Sequence, residues 1–101
     1  MIGILFRAKA KPGKLQNLID FLIWDGKLCR DQEQPGTLRF EFYPDQKDET
    51  ALYVYEAYRD ESAFEERMKN PPFQAWSSGL KDNLCTTSDL INGEAIWSPT
   101  D

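Results

Sequence analysis

Apolar and polar positions along the chain recur with two different spacings, which divide it into predicted strands and helices. Residues 2–9 predict a first strand, and Pro12-Gly13 ends it with a turn that suits the start of a helix. From residue 14 to about residue 32, apolar side chains recur every three or four positions, which predicts an amphipathic helix. The main apolar face of this helix comprises Leu15, Leu18, Ile19, Leu22, Gly26 and Cys29.

A second apolar stripe, formed by Phe21, Trp24 and Leu28, lies on roughly the opposite side of the same helix. Two interpretations stay open at this point. The stripe is either part of one broad buried face or a surface that contacts something else, such as a partner subunit. Asp25-Gly26 in the same segment favours a break or kink in the helix.

The middle of the chain predicts a β-hairpin. Gln-Pro-Gly at residues 34–36 forms a turn, and residues 37–43 and 51–58 then alternate at a period of two around the polar loop 44–49. The first of these strands carries Leu38, Phe40 and Phe42 on one face and Arg39, Glu41 and Tyr43 on the other. The second carries Leu52, Val54, Glu56 and Tyr58 on one face and Tyr53, Tyr55 and Ala57 on the other.

The last third of the chain predicts two helices and a strand. Asp60 is a suitable N-cap for a helix that ends near residue 69, and Asn70-Pro71 starts a second helix that runs to about residue 84. Residues 86–97 predict the final strand, with a bulge at Asn92-Gly93.

The order βαββααβ predicts an α+β fold in one domain, residues 1–101, with a four-stranded antiparallel sheet and helices on one face. The opposite sheet face carries Tyr53 and Tyr55, and an aromatic surface of this kind is expected to be covered and not exposed to water. A second copy of the sheet is the expected cover, so the sequence predicts a homodimer.

Composition narrows the functional classes. The chain has 12 basic and 17 acidic residues and a net charge of −5, which disfavours nucleic acid and anionic membrane surfaces as partners. It has two cysteines and no histidine, so a structural Cys/His zinc site within one chain is excluded. The apolar N-terminal run is too short for a signal peptide or a membrane span, and we expect a cytoplasmic protein with reduced thiols.

Three segments resemble one family. The stretch QPGTLRFE at residues 34–41 resembles the EPGxLRFE segment of the antibiotic-biosynthesis-monooxygenase-like family. The stretch VYEAYRDESAF at residues 54–64 resembles its YExWxDExAL segment, and NPPFQAW at residues 70–76 resembles its SPHFxxF segment. The three occur in the right order and spacing over nearly the whole chain.

This resemblance implies a ferredoxin-like protomer whose sheet packs on a second sheet to form a dimeric α/β barrel. It also implies a cofactor-independent monooxygenase that acts on a small aromatic substrate of the quinol or phenol type. Other members of the family are isomerases of phosphorylated signalling sugars or haem-degrading enzymes, and many have no known activity.

The chain departs from the family pattern at the positions of its histidines. Arg67 stands where relatives have His in the helix after the third strand, and Pro72 stands where they have the His of PHF. Haem-degrading relatives use a proximal His and a first-strand Asn, whose position aligns best with Phe6. We therefore expect no haem, no other cofactor and no metal, and imidazole acid–base chemistry is excluded.

Glu56 and Arg67 are the candidate catalytic pair. Strand alternation places the Glu56 carboxylate on the helix-covered sheet face, where it needs a partner or has a raised pKa. Arg67 lies one helical turn after Phe64 and is predicted to reach the same region. One interpretation is a structural ion pair of Glu56 with Arg67 or Arg7, and the other is a general base beside an anion-steering arginine.

Aromatic residues complete the predicted site. Trp24, Tyr58, Phe73 and Trp76 are candidates to line an apolar pocket for a flat aromatic substrate, although aromatic side chains at helical spacing are more often plain core.

Two other functional classes stay open. One is a non-catalytic dimer that binds a small ligand or is purely structural, which the missing histidines favour. The other is an RNA-binding domain that displays Tyr53 and Tyr55 on its open sheet, which the acidic charge and the absence of an RNP1 pattern disfavour.

Overall fold

A computed structural model describes residues 1–32 and 35–99 of the chain. The first half contains β1 (Ile2–Ala10), α1 (Leu15–Gln32), β2 (Thr37–Pro44) and β3 (Ala51–Tyr58). The second half contains α2 (Glu61–Met68), α3 (Pro71–Ala75), a π-helical turn (Trp76–Leu80), α4 (Lys81–Leu84) and β4 (Cys85–Glu94). This order confirms the predicted α+β fold, while Gln34 of the predicted turn at 34–36 lies outside the described residues.

The four strands form one antiparallel sheet in the order β2-β3-β1-β4, so β3 and β1 are its central strands. The arrangement is ferredoxin-like, as expected. Side chains from α1 and from the central strands meet in the core, where Leu18, Leu22, Ala8 and Val54 are buried. Alternation at a period of two explains why β3 turns Val54 towards the helices and Tyr53 towards the opposite face.

Helix α1 is continuous through Asp25-Gly26, so the break that this pair favours does not occur. The glycine serves close packing instead. A Cβ atom added at Gly26 would lie 3.2 Å from Cδ1 of Phe40, which is tighter than most real Cβ contacts. Gly26 therefore lets α1 lie against β2, and the helix stays intact because its neighbours in the core hold it in place.

The helix that the sequence predicts from Asn70-Pro71 to about residue 84 is interrupted. It begins at Pro71 and reaches Leu84, but Gly79 has φ 132°, which no helix contains. Glycine adopts this conformation without the steric penalty that a Cβ atom would bring. The break lies within the segment Trp76–Leu80, so two helical pieces meet at a kink there.

Two bulges alter the predicted strand faces. In β2, Thr37 pairs with Tyr58 and Arg39 with Ala57, so Leu38 is an extra residue. Leu38 is 45% exposed, and its predicted place beside Phe40 on the core face is wrong. In β4 the extra residue is Leu90, because Leu5 pairs with Ile91 and Phe6 with Asp89.

The bulge in β4 therefore precedes the predicted Asn92-Gly93 position. The strand also ends at Glu94, three residues before the predicted end at Trp97, which is 78% exposed. Cys29 on α1 and Cys85 at the start of β4 are both buried and form no disulfide with one another.

Candidate functional site

A cavity of about 420 Å³ lies between the sheet and the helices. This volume is within the range of small-molecule sites. Six aromatic rings contribute to its wall, namely Phe6, Phe21, Phe40, Phe64, Phe73 and Trp76. The rings of Phe21 and Trp76 are stacked, with centroids 5.1 Å apart and planes 16° from parallel. The wall therefore offers flat, apolar surfaces to a ligand.

Three buried charged side chains also line this cavity, and Arg67 joins them into one cluster. Its Nη1 and Nη2 donate to Oδ1 and Oδ2 of Asp25 at 2.5 and 2.7 Å, a bidentate pair. Its Nε donates to the Tyr58 hydroxyl at 2.8 Å, and its Nη2 also reaches Oε1 of Glu56 at 3.4 Å. The guanidinium further lies over the rings of Phe40 and Phe73, at 5.3 and 5.6 Å from their centroids.

Each member of the cluster comes from a different position in the fold. Asp25 points inward from the middle of α1, and Glu56 and Tyr58 share one face of β3 because they are two residues apart. Arg67 lies in the last turn of α2, whose start is fixed by the Asp60 side chain accepting from the backbone N–H of Ala63 at 2.9 Å.

One oxygen of Glu56 is available to a ligand. Oε1 accepts hydrogen bonds from the Tyr58 hydroxyl and from Arg67. Oε2 has no hydrogen bond within the described part of the chain. Every fully enclosed polar side-chain atom in that part of the chain does have a hydrogen-bond partner. Oε2 is therefore not fully enclosed, and Glu56 is one of the residues that line the cavity.

The environment shifts the proton affinities of the cluster. Burial raises the pKa of Glu56, because the charged form loses its hydration, and the positive charge of Arg67 offsets this only in part. Burial and the neighbouring Glu56 carboxylate raise the pKa of Tyr58, so its hydroxyl keeps its proton. Burial is the largest single influence on Arg67 and opposes its charge, but the hydrogen bonds that Arg67 donates to Asp25 and the charge interactions within the cluster together outweigh it and raise the pKa of the guanidinium.

Four of the six predicted site residues line the cavity, namely Glu56, Arg67, Phe73 and Trp76. Tyr58 is fully buried and supports Glu56 from behind, so its predicted place in the pocket wall is wrong. Trp24 is 43% exposed and meets the edge of Phe21 at 6.0 Å, so it is also not part of the wall. The stripe that contains Trp24 turns only Phe21 inward.

The strongest ion pair of the cluster was not predicted. Glu56 was the expected partner of Arg67, but Asp25 holds the guanidinium more closely. Arg7, the other expected partner of Glu56, pairs instead with Asp45 and Asp48. A signal for Asp25 does exist in the sequence, because the residue lies three positions after Leu22 and four before Cys29, within the apolar face of α1.

The family can now be identified. Residues 1–78 match the family model described as antibiotic biosynthesis monooxygenase. The chain belongs to this family. Among curated protein sequences, no relative matches it.

Solved structures show the same fold. A Bacteroides thetaiotaomicron protein named as a candidate antibiotic biosynthesis monooxygenase superposes with a TM-score of 0.80 at 18% identity, over 97% of this chain and 91% of that one. SnoaB from Streptomyces nogalater, named as a cofactor-independent oxygenase and solved as a variant, gives a TM-score of 0.75 at 15% identity, over 99% and 97%. PA3566 from Pseudomonas aeruginosa gives 0.72 at 22% identity, over 89% and 91%.

Two further observations concern the parts of the chain that the structure describes. None of the helices in residues 1–32 and 35–99 is long and apolar enough to cross a membrane. Within the same ranges, no three His, Cys, Asp or Glu side chains meet in a group that could hold a metal ion.

Proposed function

We propose that the protein is a cofactor-independent monooxygenase that oxidises a small phenol- or quinol-like aromatic molecule in the cavity, with Glu56 as general base. The observation that carries this proposal is that Glu56 lines a cavity walled by aromatic rings and has one carboxylate oxygen, Oε2, that is not fully enclosed. Membership of the antibiotic biosynthesis monooxygenase family supports the reaction class.

The first step is proton transfer. The substrate ring lies between the aromatic side chains, and its hydroxyl donates to Oε2 of Glu56. The raised pKa of Glu56 brings its proton affinity closer to that of a phenol, which favours the transfer. The Tyr58 hydroxyl and Arg67 hold the other oxygen, so the carboxyl group keeps its orientation while it gains the proton.

The resulting phenolate is rich in electrons and supplies all the electrons that reduce dioxygen. In the overall reaction a phenol ring and O₂ give a quinone and water: one oxygen atom becomes the new carbonyl and the other leaves as water. One C–H hydrogen and the O–H hydrogen of the substrate end in that water. In this scheme Arg67 orients the Glu56 carboxylate, and its positive charge favours the ionised form of that carboxylate.

Glu56→Gln is the variant that tests this function. It keeps the shape of the side chain but removes the base, so oxygen uptake with a hydroxynaphthalene substrate should fall at least about 100-fold. At an acidic pH, where the folded protein holds Glu56 protonated, the melting temperature should stay nearly unchanged. If Glu56 is only structural, the same change should instead cost about 1–3 kcal/mol of folding free energy.

Glu41→Gln is the matched control. Glu41 lies on the opposite face of the sheet, where it accepts from Arg39 at 2.7 Å. This variant should keep the full rate of oxygen uptake. A Glu56→Gln protein that consumes oxygen at the unmodified rate would exclude Glu56 as the base.

The second candidate function is binding without turnover. The absence of histidine favours it, since the family pattern places His at the positions of Arg67 and Pro72. Tight binding of an aromatic ligand with no oxygen uptake would establish this function. It would also leave the roles of Glu56 and the aromatic wall as ligand contacts intact.

We also propose that the protein acts as a homodimer joined by the open sheet faces. One row across this face contains Tyr55, Leu5 and Ile91, which are direct cross-strand neighbours. Ile91 is 52% exposed, and Tyr53 lies in the next row. A contiguous apolar and aromatic row of this kind is typical of a protein–protein contact.

A further inference from the structure

We infer that Asp25 determines the charge class of the ligand: by holding Arg67, it makes the cavity accept neutral hydroxylated aromatic molecules and reject aromatic carboxylates. This inference rests on the ligand site of the proposed function, but it concerns binding and needs no turnover. It assigns a specificity-determining role to a residue on α1 that does not belong to the predicted catalytic pair.

The hydrogen-bond directions carry the first step. An arginine in an aromatic cavity would ordinarily attract a carboxylate ligand, because its planar fork binds two oxygens at once. In this protein both Nη atoms of Arg67 already bind the two oxygens of Asp25, at 2.5 and 2.7 Å. The third nitrogen, Nε, donates to the Tyr58 hydroxyl at 2.8 Å. The bidentate edge that a ligand carboxylate would use is therefore occupied.

The charge balance carries the second step. Asp25 and Arg67 neutralise one another as a buried pair, both side chains being at most 5% exposed. Counting the described residues alone, Glu56 is then the surplus group, and the nearest cation atom among them is 3.4 Å away and shared with Asp25. An ionised Glu56 gives the inner cavity a net negative charge, and a ligand carboxylate placed beside it in a poorly hydrated site would be repelled.

Two further charged side chains of the described residues line the cavity, and they do not change this balance. Lys81 and Asp82 also line the cavity, carry opposite charges and follow one another at the start of α4. Asp82 is exposed and Lys81 half-buried, so solvent screens both more than it screens the inner cluster. The buried cluster of Asp25, Glu56 and Arg67 therefore decides between neutral and anionic ligands. Oε2 of an ionised Glu56 accepts a hydrogen bond from a ligand hydroxyl but has no hydrogen to donate to a ligand carboxylate.

1-Naphthol and 1-naphthoate are matched probes, since they share the ring system and differ in the charge of one substituent. Titration calorimetry at about pH 8 keeps the naphthol hydroxyl protonated, by analogy with the pKa of about 10 for tyrosine. We expect the unmodified protein to bind naphthol at least about tenfold more tightly than naphthoate. Equal or tighter binding of naphthoate would overturn the inference, and so would a failure to bind either probe.

Asp25→Asn isolates the role of Asp25. It should release one side of the guanidinium and raise naphthoate affinity at least about tenfold, with a smaller change for naphthol. Asp20→Asn is the control, because Asp20 is an exposed residue of the same helix and its loss changes the net charge equally. A gain in naphthoate affinity in both variants would assign the effect to overall charge and contradict the inference.

Glu56→Gln serves as the second variant, and it also tests the inference if Asp25→Asn does not fold. It removes the surplus charge but leaves Arg67 bound to Asp25, so naphthoate binding should improve less than in Asp25→Asn. In that variant, an unchanged preference for naphthol over naphthoate would show that charge in the inner cluster does not select the ligand. Oxygen uptake is measured separately: naphthol binding without uptake refutes the proposed reaction and leaves the selectivity intact.

Discussion

Glu56 is buried, lines the cavity and has one oxygen that is not fully enclosed, and this combination makes both stability and activity depend on pH. Its pKa in the folded protein is raised above the ordinary value of 4.5, chiefly by burial. The folded state therefore holds the proton more tightly than the unfolded state does. The free energy of unfolding should fall as the pH rises from 4.5 through the folded pKa, while oxygen uptake should rise over the same interval.

Denaturant melts of the unmodified protein and of Glu56→Gln at a series of pH values measure this effect. The difference between the two proteins should carry the pH dependence, because glutamine does not titrate. Identical pH profiles for the two proteins would show that Glu56 keeps an ordinary proton affinity.

Arg67 is the single cation that compensates two buried carboxylates in the described structure, so its loss should be severe. Arg67→Met leaves Asp25 and Glu56 buried without that charge, and we expect a loss of about 3–5 kcal/mol in the free energy of unfolding. Arg30→Met is the control, since Arg30 and Asp31 form an ion pair with side chains 70% and 55% exposed. Exposed pairs contribute little, so this variant should unfold at the same denaturant concentration as the unmodified protein.

At the next level of organisation, the helical segment over the cavity depends on Gly79. Its φ of 132° is unfavourable for any residue with a Cβ atom, although nothing lies within 4 Å of the place where that atom would be. Gly79→Ala should therefore destabilise the fold through the backbone alone, by about 1–3 kcal/mol.

Gly93→Ala makes the same chemical change in β4, where the added atom would also meet nothing within 4 Å and φ is ordinary. It should leave stability unchanged or slightly improved. Equal losses in the two variants, measured by urea unfolding, would contradict the special role of Gly79.

Most elements were predictable because each has a local signal. Asp60 begins α2 as an N-cap, and the alternation in β3 places Glu56 on the covered face, as the sequence predicts. The bulge at Leu38 was not predictable, because pairing with β3 decides it. Asp25 was missed for a similar reason: its partner lies 42 positions away, and only the tertiary fold brings the two together.

For the whole molecule, the open sheet face leads to a prediction about assembly. The dimer should bury at least about 1,000 Å² in total, and sedimentation velocity at micromolar concentration should show it. Tyr53→Glu places a charge in the proposed contact and should split or destabilise the dimer. Asn17→Glu adds the same charge on the exposed side of α1 and should leave the dimer intact. A monomeric unmodified protein would refute the proposed assembly.

The two buried thiols also allow local unfolding of the protein to be measured by thiol labelling. Cys29 belongs to α1 and Cys85 begins β4, and each is only 2% exposed. Burial raises the pKa of Cys85 to about 11, so few molecules carry the reactive thiolate at neutral pH. A thiol reagent can therefore modify only chains in which the surrounding structure has opened, and the rate of labelling counts those events. An aromatic ligand that fills the cavity should lower the rate of thiol labelling, even when no product forms.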